Sequence, residues 1–187
     1  MLFIRRSTPK KLAQLLDENR DKAHSYADVG ASQGGGRPSG TYRTVQRRAF
    51  IGNKPGTLEA AIESLETWAP QKRAGLIVLS TEPFEVGTVV IQAAALLGQV
   101  RVVAPCRVVY IERDENNYAY AYGTLEGHPE SGEERFAIIR EPDGWYFQID
   151  AFANAGHWLT KIGGSVAWRI QGRALDKYVE AVLDACR

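Results

Sequence analysis

The sequence predicts an α+β fold: a curved antiparallel sheet packed on a long C-terminal helix, with short helices near the N-terminus. Three observations carry this. Residues 101–152 hold four strand-like runs separated by turn residues. Within them, Tyr118, Tyr120, Tyr122 and Thr124 alternate with Ala119, Ala121 and Gly123, the two-residue period of a strand with two different faces. At the end of the chain Leu175, Tyr178, Val179, Val182, Leu183 and Cys186 follow at i, i+3, i+4, i+7, i+8 and i+11, an apolar helical stripe that must lie on a sheet.

Taken in order, the chain opens with a short helix. Ser7 or Thr8 caps it, Pro9 suits its first turn, and Leu12, Leu15 and Leu16 recur at helical spacing until the pattern fades by Lys22. Residues 29–40 (VGASQGGGRPSG) read as a flexible linker centred on Gly34, Gly35 and Gly36. A phosphate loop is excluded, because no lysine–hydroxyl pair follows the glycines and no buried strand precedes them. Residues 42–51 form a weakly alternating strand. Thr57 caps a second helix, Glu59 suits its positive end, and Leu58, Ala61, Ile62, Leu65 and Trp68 make its apolar stripe, which Pro70 ends.

Residues 75–80 (GLIVLS) are a short apolar strand, Pro83–Phe84 a turn, and 86–95 another strand. Residues 93–97 fit a strand end or a helical turn equally. In 101–113, Val103, Pro105, Arg107, Val109 and Ile111 share one face, and Val102, Ala104, Cys106, Val108 and Tyr110 the other. Pro105 marks an edge or a bulge. Turn chemistry at 114–117 leads into the tyrosine strand, and a long polar turn covers 126–133. Strands at 135–140 and 145–152 meet at Glu141–Pro142–Asp143–Gly144. Residues 153–166 read as irregular, and the closing helix begins near Gln171.

Composition narrows the function classes. At 187 residues the chain is read as one domain, 1–187, able to bury a core without staples. A net charge of +1 argues against a dedicated nucleic-acid binder, and Arg47, Arg48 and Lys54 read as a solvated strand end. The two cysteines, Cys106 and Cys186, make no disulfide framework, so the reading is a reducing, cytoplasmic setting. The segment MLFIRRSTPKK is no signal peptide, and no apolar run is long enough to span a membrane.

Chemistry concentrates in the polar turn. His128 with Glu130, Glu133 or Glu134 has the groups for acid–base catalysis. A metal site needs more nitrogen or sulfur ligands than the turn offers, so none is assigned, and no cofactor is called for. The plainer role for the same residues is a hairpin whose carboxylates cap backbone amides. A second constellation is a pocket lined by Tyr110, Tyr120, Tyr122 and Thr124, with Arg107 and Asp150 pairing or anchoring a ligand's polar group. The alternative is an outer face of exposed tyrosines. No Gly-x-Ser-x-Gly turn is present, and Cys106, inside a strand, is an inert thiol.

The stretch YGTLEGHPESGEERF, following VVY at 108–110, closely resembles the DUF1990 family (UPF0548) of bacteria and plants, a domain of unknown function. Tyr26 with Val29–Gly30, Arg48 with Gly52, Trp68, and Gly75–Leu76 extend the resemblance over nearly the whole chain. The C-terminal part departs: where the family tends to an AFSRP-like run this chain has Ala151–Phe152–Ala153–Asn154–Ala155, without that serine and arginine. The family's element order is similar to the START-like, helix-grip (SRPBCC) superfamily. The resemblance therefore implies a binder of a small hydrophobic or amphipathic molecule, held between sheet and C-terminal helix. Two alternatives stand beside it: an enzyme of cyclase or hydrolase type using His128 and a nearby glutamate, and an interaction module that forms a homodimer through exposed tyrosines.

Overall fold

A computed structural model describes residues 2–5, 8–97, 100–155 and 164–187. The chain runs β1 (Leu2–Arg5), α1 (Pro9–Asn19), a 3-10 turn (Gln33–Gly35), β2 (Arg43–Gly52), α2 (Thr57–Glu66), α3 (Ala69–Arg73), β3 (Ile77–Ser80), β4 (Val89–Leu97), β5 (Val100–Arg113), β6 (Asn117–Thr124), β7 (Glu130–Glu141), β8 (Gly144–Ala155) and α4 (Gly164–Ala185). The strands form one antiparallel sheet in the order β2-β8-β7-β6-β5-β4-β3. β6 pairs with residues 106–113 of β5, and β1 pairs with residues 100–103 beyond it. The helix-on-sheet α+β prediction holds.

The two faces of the sheet carry different cores. The inner face sends Tyr118, Tyr120, Tyr122, Phe136, Ile138, Phe147 and Ile149 against α2, α3 and α4, which answer with Ile62, Leu65, Trp68, Leu175, Tyr178 and Val182. The outer face, at β3, β4 and β5, packs Ile91 and Val103 against Leu12 and Leu15 of α1. All three tyrosines of β6 are buried, so the alternative of an exposed tyrosine face is overturned. Their rings gain more from the aromatic packing inside than from partial hydration outside. Tyr120 stacks on Phe136 with ring centres 5.1 Å apart.

Several local expectations change. Thr8 caps α1, its hydroxyl accepting from the Lys11 amide; Ser7 lies outside the described residues. Thr57 is the first residue of α2 rather than its cap; Gly56, with φ +86°, reverses the chain in front of it. Pro70 opens α3 rather than ending α2. The break falls at Trp68, whose φ of 59° leaves the helical region, and proline fits the first turn that follows.

Pro105 lies at a local edge rather than at the bulge: β1 pairs with β5 only as far as Val103, and β6 only from Cys106. Its carbonyl accepts from Leu125 N–H just past the end of β6. Its missing donor therefore falls where the ladder between β1 and β6 has run out. The bulge comes at Val109, where the partner register steps from Val108↔Tyr122 to Tyr110↔Ala121. One extra residue turns every later side chain over, so Tyr110 joins the outer face and Ile111 packs against the inner core. The irregular stretch expected at 153–166 is strand to Ala155 and helix from Gly164; residues 156–163 lie outside the described residues.

Candidate functional site

Between the inner face and α4, at the end of the sheet where β6 turns into β7, a cavity of about 150 Å³ remains. Strand alternation builds its floor. Glu130, Gly132 and Glu134 stand two apart on β7, Tyr122 and Thr124 on β6, and Ala151 and Ala153 on β8. Gln92 closes it from β4, His128 from the β6–β7 turn, and Ala174, Leu175 and Tyr178 from α4. The small residues keep the space open: the side chains of Ala151, Ala153 and Ala174 stop where Phe147, Ile149 and Val182 fill the grip elsewhere.

Polarity is uneven around this wall. Glu134 accepts a short hydrogen bond from the Tyr122 hydroxyl. Burial, reinforced by the neighbouring Glu130, pushes its carboxyl up to about 7, against the opposing effect of that hydrogen bond. Burial also raises the Glu130 carboxyl. His128 Nδ1 lies 2.8 Å from the Glu130 amide nitrogen and 3.0 Å from the Glu130 carbonyl oxygen, so the ring is tied to the Glu130 backbone. Burial holds the ring well below the usual histidine range, at about 4, so it is neutral at pH 7. Gln92 is 5 % exposed and lines the same space. No lysine or arginine lines the cavity among the described residues. Among the described residues, no group of three or more histidine, cysteine, aspartate or glutamate side chains is placed so as to hold a metal ion.

The sequence-predicted residues divide between the two faces. His128, Glu134, Tyr122 and Thr124 meet at the cavity. Tyr120 shares their face but is packed deeper, among Trp68, Phe84 and Phe136. Glu133 turns its side chain to the outer face. Its carboxylate accepts from Tyr26 Oη (2.6 Å), Gly30 N (2.8 Å), Ser32 N (3.0 Å) and Ser32 Oγ. Tyr110 completes that cluster by donating to Ser32 Oγ at 2.7 Å. The stretch read as a flexible linker is thus pinned to the sheet at its N-terminal half, with Ser32 buried. Gly123 makes room for it: a methyl group there would run into the Tyr26 hydroxyl.

Arg107 and Asp150 do not pair. Arg107 donates to the carbonyls of Asn19 and Arg20 at the end of α1. Asp150, also on the outer face, faces Arg135, which bridges it to Glu112 at 3.4 Å on each side. The polar turn is shorter than expected, because β7 begins at Glu130. Its sequence looks like a loop because both faces of the strand carry glutamates there, one for each cluster.

Gln92 and Tyr178 were not singled out as site residues from the sequence. Gln92 was visible only as a polar interruption of an apolar run, and Tyr178 as one member of the helical stripe.

The family model described as a domain of unknown function, DUF1990, matches residues 25–181. UPF0548 proteins of Deinococcus radiodurans and Dictyostelium discoideum are similar over the full length. The first is 25% identical across 99% of this chain and 98% of its own length, the second 23% identical across 100% and 93%. Among solved structures, norcoclaurine synthase from Thalictrum flavum, in complex with dopamine and hydroxybenzaldehyde, aligns with a TM-score of 0.55 at 8% identity, over 77% of this chain and 86% of that one. Ara h 8.0201 aligns with a TM-score of 0.52 at 13% identity, over 78% and 98%. The di-domain ARO/CYC protein StfQ gives 0.52 at 9%, over 76% and 49%. At these identities the likeness is one of fold: the helix-grip arrangement.

Proposed function

We propose that this chain, which belongs to the DUF1990 family, binds a small amphipathic molecule in the cavity between the inner face of the sheet and α4. One observation carries the reading. In a grip packed with aromatic and aliphatic side chains, a carboxyl with a single donor faces a 150 Å³ space that the side chain of Gln92, 5 % exposed, also lines. A buried polar group without a partner costs roughly 1–3 kcal/mol, and a ligand that satisfies it recovers that energy on binding. An apolar cavity of about 150 Å³ is large enough for benzene, so the enclosed part of the ligand is of the order of one small ring. The apolar side chains of Ala174 and Leu175 receive its body, and Glu134, Gln92 and the Tyr122 hydroxyl its polar end. The solved neighbours are compatible with a ligand in the grip, and their fold is as far as that likeness reaches.

Native mass spectrometry of protein purified from its own host tests this, followed by mass measurement under denaturing conditions. The expected result is a stoichiometric small molecule released on denaturation and absent from Ala174→Trp, which fills the cavity. Undiminished retention by that variant would place the ligand elsewhere and contradict the reading.

A second reading, acid–base catalysis on the bound molecule, is favoured by the Glu134 carboxyl near 7, where a proton is both held and given up at neutral pH. Glu134 then replaces His128 as the residue to test, because His128 is neutral and tied to the Glu130 backbone. Glu134→Gln would abolish conversion of a bound substrate while the complex still forms. Conversion at the wild-type rate would refute this reading.

A further inference from the structure

The cavity's donors and acceptors also state what kind of polar end fits. We infer that the ligand is a small cation, a protonated amine on a compact apolar or aromatic body, with Glu134 as its counter-ion. This rests on the cavity being the binding site, as proposed above.

Three features on the wall point the same way. Among the described residues, the ionisable side chains facing Glu134 are Glu130 beside it on β7, His128 from the turn, Tyr120 and Tyr122 on β6, Cys106 on β5 and Tyr178 on α4. Ala151 on β8 carries no charge, and Gln92 on β4 is neutral. None of these groups supplies positive charge at neutral pH, since His128 is held neutral. An anionic ligand would meet Glu134, beside which no lysine or arginine lines the cavity among the described residues. A neutral one would leave Glu134, when ionised, with the Tyr122 hydroxyl as its one donor. An ammonium group supplies the missing donors and charge together. Tyr122 and Tyr178, both on the wall, are aromatic rings, a side-chain type that attracts cations. Gln92, 5 % exposed, lines the same space, and an amide carbonyl oxygen there can accept a second ammonium proton.

Linkage gives the inference a signature. Binding an ammonium favours the ionised carboxyl. Below about pH 7 the free protein must first release a proton from Glu134, so affinity rises with pH and levels off above that point. A carboxylate ligand would show the reverse slope.

Calorimetry with a matched series tests it: benzylamine, benzyl alcohol and benzoate, at about pH 6 and pH 8, where the benzylammonium ion stays protonated. Benzylamine should bind at least tenfold more tightly than benzyl alcohol at the higher pH, release protons on binding at the lower, and lose its advantage in Glu134→Gln. Benzyl alcohol should change less than threefold in that variant. Should Glu134→Gln fail to fold, the proton release and pH slope of the wild type decide alone. Benzyl alcohol or benzoate binding as tightly as benzylamine would overturn the cation assignment and leave the cavity reading standing. Absence of binding by all three, with the cavity-filling Ala174→Trp variant no different from wild type in its bound species, would overturn both.

Discussion

Glu133 and Glu134 are neighbours on one strand and serve opposite ends. Glu133, on the outer face and 3 % exposed, is surrounded by donors from Tyr26, Gly30 and Ser32. Its carboxylate is fully engaged, and what it organises is the chain itself, holding the 30–32 segment against the sheet. Glu134, one residue on and on the inner face, has the Tyr122 hydroxyl as its donor and a cavity in front of it. Strand alternation alone separates them. Burial of a carboxylate is thus no indication of function; the number of donors left unfilled is what distinguishes the two.

The largest effect that would break this contrast is Glu133→Ala. It leaves four buried donors without an acceptor, at roughly 1–3 kcal/mol each before water relieves some of them, for a net loss of about 3–5 kcal/mol in chemical denaturation. A loss below about 1 kcal/mol would mean that the cluster is not structural. Next comes Gly123→Ala, which pushes the Tyr26 ring off the outer face. Overpacking of this kind costs about 1–3 kcal/mol, and the variant should also show faster hydrogen exchange at the Gly30 and Ser32 amides.

Glu134 should behave in the opposite sense. Its folded value of about 7 lies above its ordinary 4.5, so folding tightens its hold on the proton. The stability this contributes is fully present below about pH 4.5 and is lost as pH rises through 7. Glu134→Gln should therefore match the wild type near pH 4 and exceed it by about 1–2 kcal/mol near pH 8, after allowance for the part that water reaches. Equal stability at both pH values would contradict the burial of this charge.

The smallest effect belongs to His128. Its folded value of about 4 lies below its ordinary 6.5, so its contribution is present above about pH 6.5 and is lost as pH falls toward 4. Replacement by Gln should raise stability near pH 4.5, relative to that near pH 7, by about 1 kcal/mol in urea titrations.

Much of the fold was legible because local pattern and tertiary role agreed. The tyrosine–alanine alternation of β6 separated its two faces without showing which of them is buried, and the stripe from Leu175 to Cys186 located the gripping helix. The site was half legible. His128, Glu134, Tyr122 and Thr124 share the cavity because they stand on one hairpin, which short-range reading can see. Tyr110 and Arg107 could not be placed the same way. The bulge at Val109 reverses the face of Tyr110 and has no residue signature of its own. Glu133 was legible as a carboxylate but not as an anchor, since its partners at Tyr26, Gly30 and Ser32 lie about a hundred residues earlier. For the same reason the glycine-bearing segment looked like a linker. Gln92 stayed hidden because a lone amide in a strand becomes meaningful only when the fold shows which cavity it lines.

The central claim is that Glu134 is the unfilled group of the binding cavity. The most direct test is a carbon-13 titration of side-chain carboxyls, with Glu134 assigned through Glu134→Gln, in free protein and with saturating benzylamine. The account predicts a midpoint near 7 in the free protein, moving down by more than one pH unit on binding. A midpoint in the ordinary glutamate range, unmoved by any member of the probe series, would contradict it.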